Sequence, residues 1–380
     1  MSDSRLRKSR AAVASSPEVE AAAEELLRKG NAVDAVVAGV FAACALAPGV
    51  LLGPVQILIG GGGVGLRALD GRVRQPGIGA PRPRGFREGE DVPDAARVGV
   101  PWLPATLSVA VATAGTATFA QVMAPALALA KGSPRLEVLA KISSRGPRAV
   151  EERPLGAELL ALAGRPSGGL LTSDDLSSQR PEVHPAVRHA LRGAGQASRG
   201  AARDDAGPAS RGRAVAAAVR RSAAAEAADA MPSRMVIELP WSNDDGGVPI
   251  PPAGVVGVAT TRAVAAVDRH GAFAIACWDE GIDGLTLSEV GLRAPFFAEP
   301  VMRGATRIRP GDARPAAAPI ALVGTDSGPE FAFAAFGAGD AYDVLGGAIR
   351  SVIEADRIEA HGEASLVAVS HLQGIASTFR

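Results

Sequence analysis

The chain has 380 residues, 47% of them hydrophobic and 21% charged, which is ordinary globular chemistry with ample length to bury a core. Lys+Arg and Asp+Glu both total 40, so the net charge is zero and nothing global favours nucleic acid or an anionic membrane as a partner. The two cysteines, Cys44 and Cys277, are too few for a disulfide framework or a structural zinc site of their own, and both lie in apolar runs where they read as buried small hydrophobes.

The basic start, with Arg5, Arg7, Lys8 and Arg10, is not followed by an apolar run of signal-peptide length, so a cytoplasmic protein is expected. The longest apolar stretch, Ala32 to Ile59, is interrupted by Asp34, Pro48, Gly49, Gly53 and Pro54 and is too broken for a membrane span. Glu18 to Lys29 reads as a helix between Pro17 and Gly30. Asn31 caps a second helix, Ala32 to Ala45, whose lack of a polar face predicts burial. Val55 to Ile59 is β-like, four glycines come next, and Val64 to Asp70 reads as strand again. Asp70-Gly71 is a two-residue hairpin signal that would make Arg72 to Arg74 the returning strand.

Residues 77 to 97, rich in Pro, Gly and charge, form a loop. Pro101 to Ala114, Phe119 to Lys131, Leu136 to Ser143 and Ala149 to Ala163 read as helices, and Gly168 to Leu171 as a turn before a helix start at Ser173. Residues 186 to 232 are dominated by Ala, Arg, Gly and Ser and read as a flexible or weakly helical insert. Their arginines lack the interleaved aromatics of a base-stacking surface, so no nucleic-acid partner is expected. Strand signals return at Met235 to Leu239, Val255 to Asp268, Ala272 to Trp278, Ile320 to Val323 and Phe331 to Phe336, with a helix over Gly346 to Asp356. Helices, then strands, then strands and helices again predict an α+β chain with two sheets between helical layers.

Gly60, Gly62 and Gly65 satisfy the dinucleotide-binding spacing, but the residues after them read as a strand and not as the helix whose N-terminus would face a pyrophosphate. The run reads instead as a tight turn between strands, and no cofactor is expected. His184 and His189 are five apart, wrong for one helix face, and the other histidines are scattered, so no metal site is expected.

Five segments in order carry a family resemblance. Asn31-Ala-Val-Asp-Ala35 after Leu26-Leu27-Arg28-Lys29-Gly30, the Gly60–Gly63 run, Gly99-Val-Pro-Trp-Leu-Pro104, Met123-Ala-Pro-Ala-Leu-Ala-Leu-Ala130 and Gly168-Gly-Leu-Leu-Thr-Ser-Asp-Asp-Leu176 together resemble the γ-glutamyltransferase family of N-terminal-nucleophile (Ntn) hydrolases. The resemblance covers about residues 11 to 185 and 255 to 356. It implies a four-layer αββα sandwich, one Ntn-type fold overall, with residues 1–260 as the large-subunit-like region and 261–380 as the small-subunit-like region. It also implies autoprocessing, hydrolase or transferase activity of the kind found in glutathione metabolism, and a small amide or peptide substrate.

Members of this family cut their own chain before a threonine, whose freed α-amine then serves as the base for its own hydroxyl, because an α-amine titrates near neutrality. The corresponding run here is Thr261-Arg-Ala-Val-Ala-Ala-Val-Asp268-Arg-His-Gly271, so Thr261 falls at the nucleophile and Thr260 is the fallback. Gly337-Ala-Gly-Asp340 resembles the family's oxyanion motif, with the N–H groups of Ala338 and Gly339 as donors. Asp279 stands where the family has a helper threonine, and Asp279 and Asp340 are the expected substrate contacts.

The chain departs from the pattern where the family grips a substrate α-carboxylate. Gly77 falls at the family's arginine, with Arg72 and Arg74 nearby but off register, and Arg314-Pro-Ala-Ala-Ala-Pro319 lacks the serine pair. Losing a bidentate arginine and two hydroxyls argues against classical glutathione specificity. Two readings result: an Ntn amidohydrolase or acyltransferase with another amide substrate, or a non-catalytic scaffold that keeps the fold.

Overall fold

A computed structural model describes residues 10–81, 83, 85–191, 234–243, 260–305, 307–355, 357–371 and 376–379. In chain order, β1 (Ala11–Ala14) leads into α1 (Pro17–Lys29) and α2 (Ala32–Leu46), followed by β2 (Val55–Gly61) and β3 (Arg67–Gly71). A helical stretch comprises α3 (Leu103–Ala114), α4 (Phe119–Leu129), α5 (Arg135–Arg145), α6 (Leu155–Ala163) and α7 (Ser173–Ser177). Strands β4 (Val183–Pro185), β5 (Val187–Leu191), β6 (Arg234–Glu238), β7 (Thr261–Val267), β8 (Ala272–Asp279), β9 (Gly284–Leu287), β10 (Leu292–Pro295), β11 (Ile320–Thr325) and β12 (Gly328–Phe336) come next. Helix α8 (Ala341–Ala355) and strands β13 (Ser365–Ser370) and β14 (Ala376–Phe379) complete the described chain.

Two large sheets form, each of six strands among the described residues. Their orders are β1-β7-β8-β2-β3-β4 and β14-β13-β12-β11-β6-β5, and β9 and β10 make a separate antiparallel pair. The first sheet draws its central strands from both ends of the chain, since β7 pairs with β1 and β8 pairs with β2. Three apolar clusters separate four layers. One lies between the helices α1–α6 and the first sheet, one between the two sheets, and one between the second sheet and α8. The αββα architecture implied by the family resemblance is therefore present.

Burial on both faces explains why β7 and β8 read as continuous apolar runs without alternation. Val264 and Ala266 belong to the helix-side cluster while Ala263, Ala265 and Val267 belong to the inter-sheet cluster. By the same period of two, Thr261 falls on the inter-sheet face, as does Asp279 in line with Cys277, Ile275 and Phe273.

The Asn31–Ala35 segment of the family resemblance has a structural cause. Asn31 and Asp34 form a reciprocal capping box on α2, and the fully buried Asp34 carboxylate also accepts from the N–H groups of Thr116 and Ala117 and from the Thr116 hydroxyl at 2.7 Å. One acidic side chain thus satisfies the start of α2 and ties it to the loop after α3.

Several local expectations are corrected. The hairpin turn lies not at Asp70-Gly71 but in the glycine run, where Gly61, Gly62, Gly63 and Gly65 take positive φ, and Asp70 and Gly71 pair back onto Gln56 and Val55. Ala149–Ala163 is not one helix. A short 3₁₀ turn over Pro147–Val150 gives way to α6 only at Leu155, after Pro154, which cannot supply a helical N–H. Helix α8 begins at Ala341, before the expected Gly346. The region expected to be an insert opens instead with β5, which pairs with β6; residues 192–233 lie outside the described residues, as does the first part of the expected strand over 255–268. Both cysteines are buried and unpaired, and burial pushes their thiols well up.

Candidate active site

Thr261 and Asp279 lie side by side at one end of the inter-sheet face, beside the turn that begins at Gly337. Thr261 is the first residue of β7 and is fully buried; its Oγ1 accepts a hydrogen bond from the Gly337 N–H at 3.3 Å. Gly337 begins the turn between β12 and α8 with φ +97, a conformation that side-chain-bearing residues avoid. Ala338 and Gly339 come next in the same turn, and the Ala338 carbonyl accepts from the Ala341 N–H as α8 starts. The donor that reaches the hydroxyl is thus Gly337, one residue before the predicted pair. Sequence reasoning did not single it out, although its place at the head of the glycine motif was the available signal.

Asp340 does a different job. Its carboxylate accepts from the N–H groups of Glu363 and Ala364 at 2.8 and 2.9 Å, while its carbonyl accepts from those of Asp343 and Val344. It therefore anchors the turn carrying Gly337 to the strand entry before β13, and its carboxylate is directed at that entry.

Asp279 is the cross-strand partner of Thr261. Its Oδ1 accepts from the Thr260 hydroxyl at 2.5 Å and from the Gly281 N–H at 2.8 Å, while Oδ2 is buried with no hydrogen-bond partner among the described residues. Burial is the main influence and raises this carboxyl above the ordinary range; the Thr260 and Gly281 hydrogen bonds and the nearby Arg262 charge act against it without cancelling it. Arg262, where the family has a second threonine, donates to the Thr261 carbonyl at 2.8 Å and faces Glu280 at 3.6 Å.

Further along the same face, register places Gln56 opposite Cys277 and Asp70 opposite Gln56. The Gln56 amide donates to the Ala316 and Ala317 carbonyls and accepts from the Trp241 indole N–H at 2.5 Å. The Arg314–Pro319 segment is thereby held by side-chain-to-backbone bonds. Tyr342, from α8, accepts from the Ala318 N–H at 3.0 Å, and burial pushes its phenol up to about 12.

The arginines near the expected carboxylate grip are engaged internally. Asp70 pairs with Arg72 at 2.9 Å and Arg74 at 3.0 Å, and the two guanidiniums lie over the rings of Trp241 and Trp102, respectively. Burial alone would raise the Asp70 carboxyl, but the hydrogen bonds and charges of Arg72 and Arg74 outweigh it and hold it below the ordinary range. Arg314 is likewise occupied by Glu299 at 2.8 Å. No His/Cys/Asp/Glu group suited to a metal ion occurs among the described residues, and none of the described helices is long and apolar enough to cross a membrane.

No family model matches the chain, and no curated protein is similar to it in sequence. Solved structures are similar in fold. A cephalosporin acylase from Bacillus halodurans superposes with TM-score 0.62 at 13% identity, covering 99% of this chain and 95% of its own. A structure of LmbA2991T421A superposes with TM-score 0.63 at 15% identity, covering 98% of this chain and 85% of its own. With its four layers and with Thr261 opening a central strand, the chain has the fold of the Ntn hydrolases.

Proposed function

We propose that this protein is an Ntn amidohydrolase or acyltransferase whose nucleophile is Thr261, released by cleavage of the Thr260–Thr261 bond. The observation that carries the reading is the hydrogen bond from Gly337 to the Thr261 hydroxyl, which joins the predicted nucleophile to the predicted oxyanion turn across two sheets. The freed α-amine of Thr261 takes the hydroxyl proton, Oγ1 attacks a substrate amide carbonyl, and the Ala338 and Gly339 N–H groups stabilise the oxyanion. The amine product leaves with that proton, and water releases the acyl group from Oγ1. The cephalosporin acylase among the fold neighbours is in keeping with acyl-transfer chemistry.

The substrate is a small amide or peptide outside classical glutathione specificity. Arg72 and Arg74 are held by Asp70, Arg314 is held by Glu299, and the three alanines Ala316–Ala318 offer no hydroxyl. The same commitments favour the second reading, a scaffold that keeps the fold without turnover.

Intact mass of the purified protein beside its Thr261→Ala variant separates the two. Fragments spanning 1–260 and 261–380, absent from the variant, are the expected result. A single uncut chain in both would sink the threonine mechanism and leave the scaffold.

A further inference from the structure

The family's helper hydroxyl is replaced here by a carboxyl, and the geometry around it is specific. The Thr260 carbonyl, the one that must be attacked for the chain to cut itself, accepts from the Glu280 N–H at 3.2 Å. The Thr260 side chain is pinned to Asp279 Oδ1, which also holds the Gly281 N–H. Asp279 sits directly across the ladder from Thr261 on the shared inter-sheet face, with Oδ2 buried and partnerless among the described residues. A backbone donor on the scissile carbonyl, a nucleophile and an unoccupied acceptor oxygen thus meet on one pair of adjacent rungs.

We propose that Asp279 is the proton-transfer residue of chain cleavage, a role that rests on the reading of Thr261 as nucleophile. The Asp279 carboxylate takes the proton from Thr261 Oγ1 as that oxygen bonds to the Thr260 carbonyl carbon, while Glu280 N–H stabilises the developing charge. The C–N bond to Thr261 breaks as the proton passes from Asp279 to the Thr261 nitrogen, which leaves an ester and a free α-amine. Water then cleaves the ester, its hydroxyl going to the Thr260 carbon and its proton to Oγ1. Before the cut the α-amine is an amide and has no basicity, so a second base is needed at that stage.

Charged and titratable groups lie around Asp279 on several elements. Arg262 on β7 lowers its carboxyl; Cys277 lies two residues back on the same face; Glu280 is next to it and paired with Arg262; Arg293 on β10 donates to the Gly281 carbonyl at 2.6 Å; Tyr342 on α8 lies near Cys277. Burial dominates them and raises the carboxyl, bringing its basicity closer to neutral pH, where a general base is most effective. Because the folded-state value is raised, the ionised form is lost as pH falls through it, and the cleavage rate falls with it.

The test tracks cleavage in time. Wild type and Asp279→Asn are made by cell-free translation, sampled from the first minutes, and read by intact mass between pH 4 and 9. Wild-type cleavage is expected to rise with pH and level off. Asp279→Asn is expected to slow by at least ~100-fold and to lose that rise. Cleavage of Asp279→Asn at the wild-type rate overturns the role of Asp279 and leaves the Thr261 reading standing. A wild-type rate flat with pH does the same, and needs no folded variant. A wild-type chain that never cuts overturns both.

Discussion

The hydroxyl of Thr261, at the start of β7 in the first sheet, and the backbone N–H of Gly337, in the turn after β12 of the second, meet at 3.3 Å although they lie 76 positions apart in the chain. That one bond brings a buried hydroxyl against a turn of backbone N–H groups. Gly337→Ala should disturb it, since φ +97 is unfavourable for any side chain and the turn would rotate its N–H away. The expected cost is about 1–2 kcal/mol in urea unfolding, together with loss of chain cleavage by intact mass. Wild-type cleavage in a folded Gly337→Ala protein would argue against the turn as part of the site.

Asp34 should matter for stability and not for chemistry. Its carboxylate is fully buried and meets N–H or O–H groups of Asn31, Thr116 and Ala117. Asp34→Ala strips the carboxylate from the part-buried donors of Asn31, Thr116 and Ala117 and should cost about 1–3 kcal/mol. A denaturant midpoint within error of wild type would contradict the assignment.

The Asp70 cluster makes a pH prediction. The folded-state carboxyl is depressed, so its contribution to stability is present above the unfolded value of about 4 and is lost as pH falls through the lower folded value. Asp70→Asn leaves Arg74 with a buried, poorly compensated charge and should cost about 3–5 kcal/mol near neutrality. The gap between variant and wild type in urea unfolding should begin to narrow as pH falls below about 4 and close below the depressed folded value. A gap that stays constant from about pH 6 to about pH 2.5 would count against the ion pairs as its source.

Gln56 ties the alanine segment to the first sheet. Gln56→Leu leaves the Ala316 carbonyl and the Trp241 indole N–H without this partner and should cost about 1–3 kcal/mol. A blue shift of tryptophan emission accompanying the loss would report Trp241; unchanged stability would mean that water replaces the amide.

Much of the fold was legible along the chain because it depends on neighbours in sequence. Pro17 and Gly30 bracket α1, Asn31 caps α2 through nearby N–H groups, and an all-apolar α2 can only be buried. The glycine run read as a turn between strands for the same local reason. The Asp70-Gly71 hairpin failed because Val55 to Gly61 is long enough to pair with β3 throughout, and that ladder outweighs a favourable turn dipeptide. The short strands β1, β13 and β14 were not read from the sequence: β1 depends on β7 far along the chain, β13 on β12 across α8, and β14 on β13 in turn.

By itself the sequence determined the layers, the Asn31 cap and the place of Thr261 a fixed distance before the Asp268–Gly271 turn. Only the tertiary structure decided that Gly337 supplies the donor to Thr261, that Asp340 anchors a turn, and that Asp279 shares a rung with Thr261 while Arg72 and Arg74 are held by Asp70. The physical reason is that a periodic pattern names the face a side chain occupies, whereas hydrogen bonds between sheets depend on the register of strands and the path of turns, which sequence neighbours do not constrain.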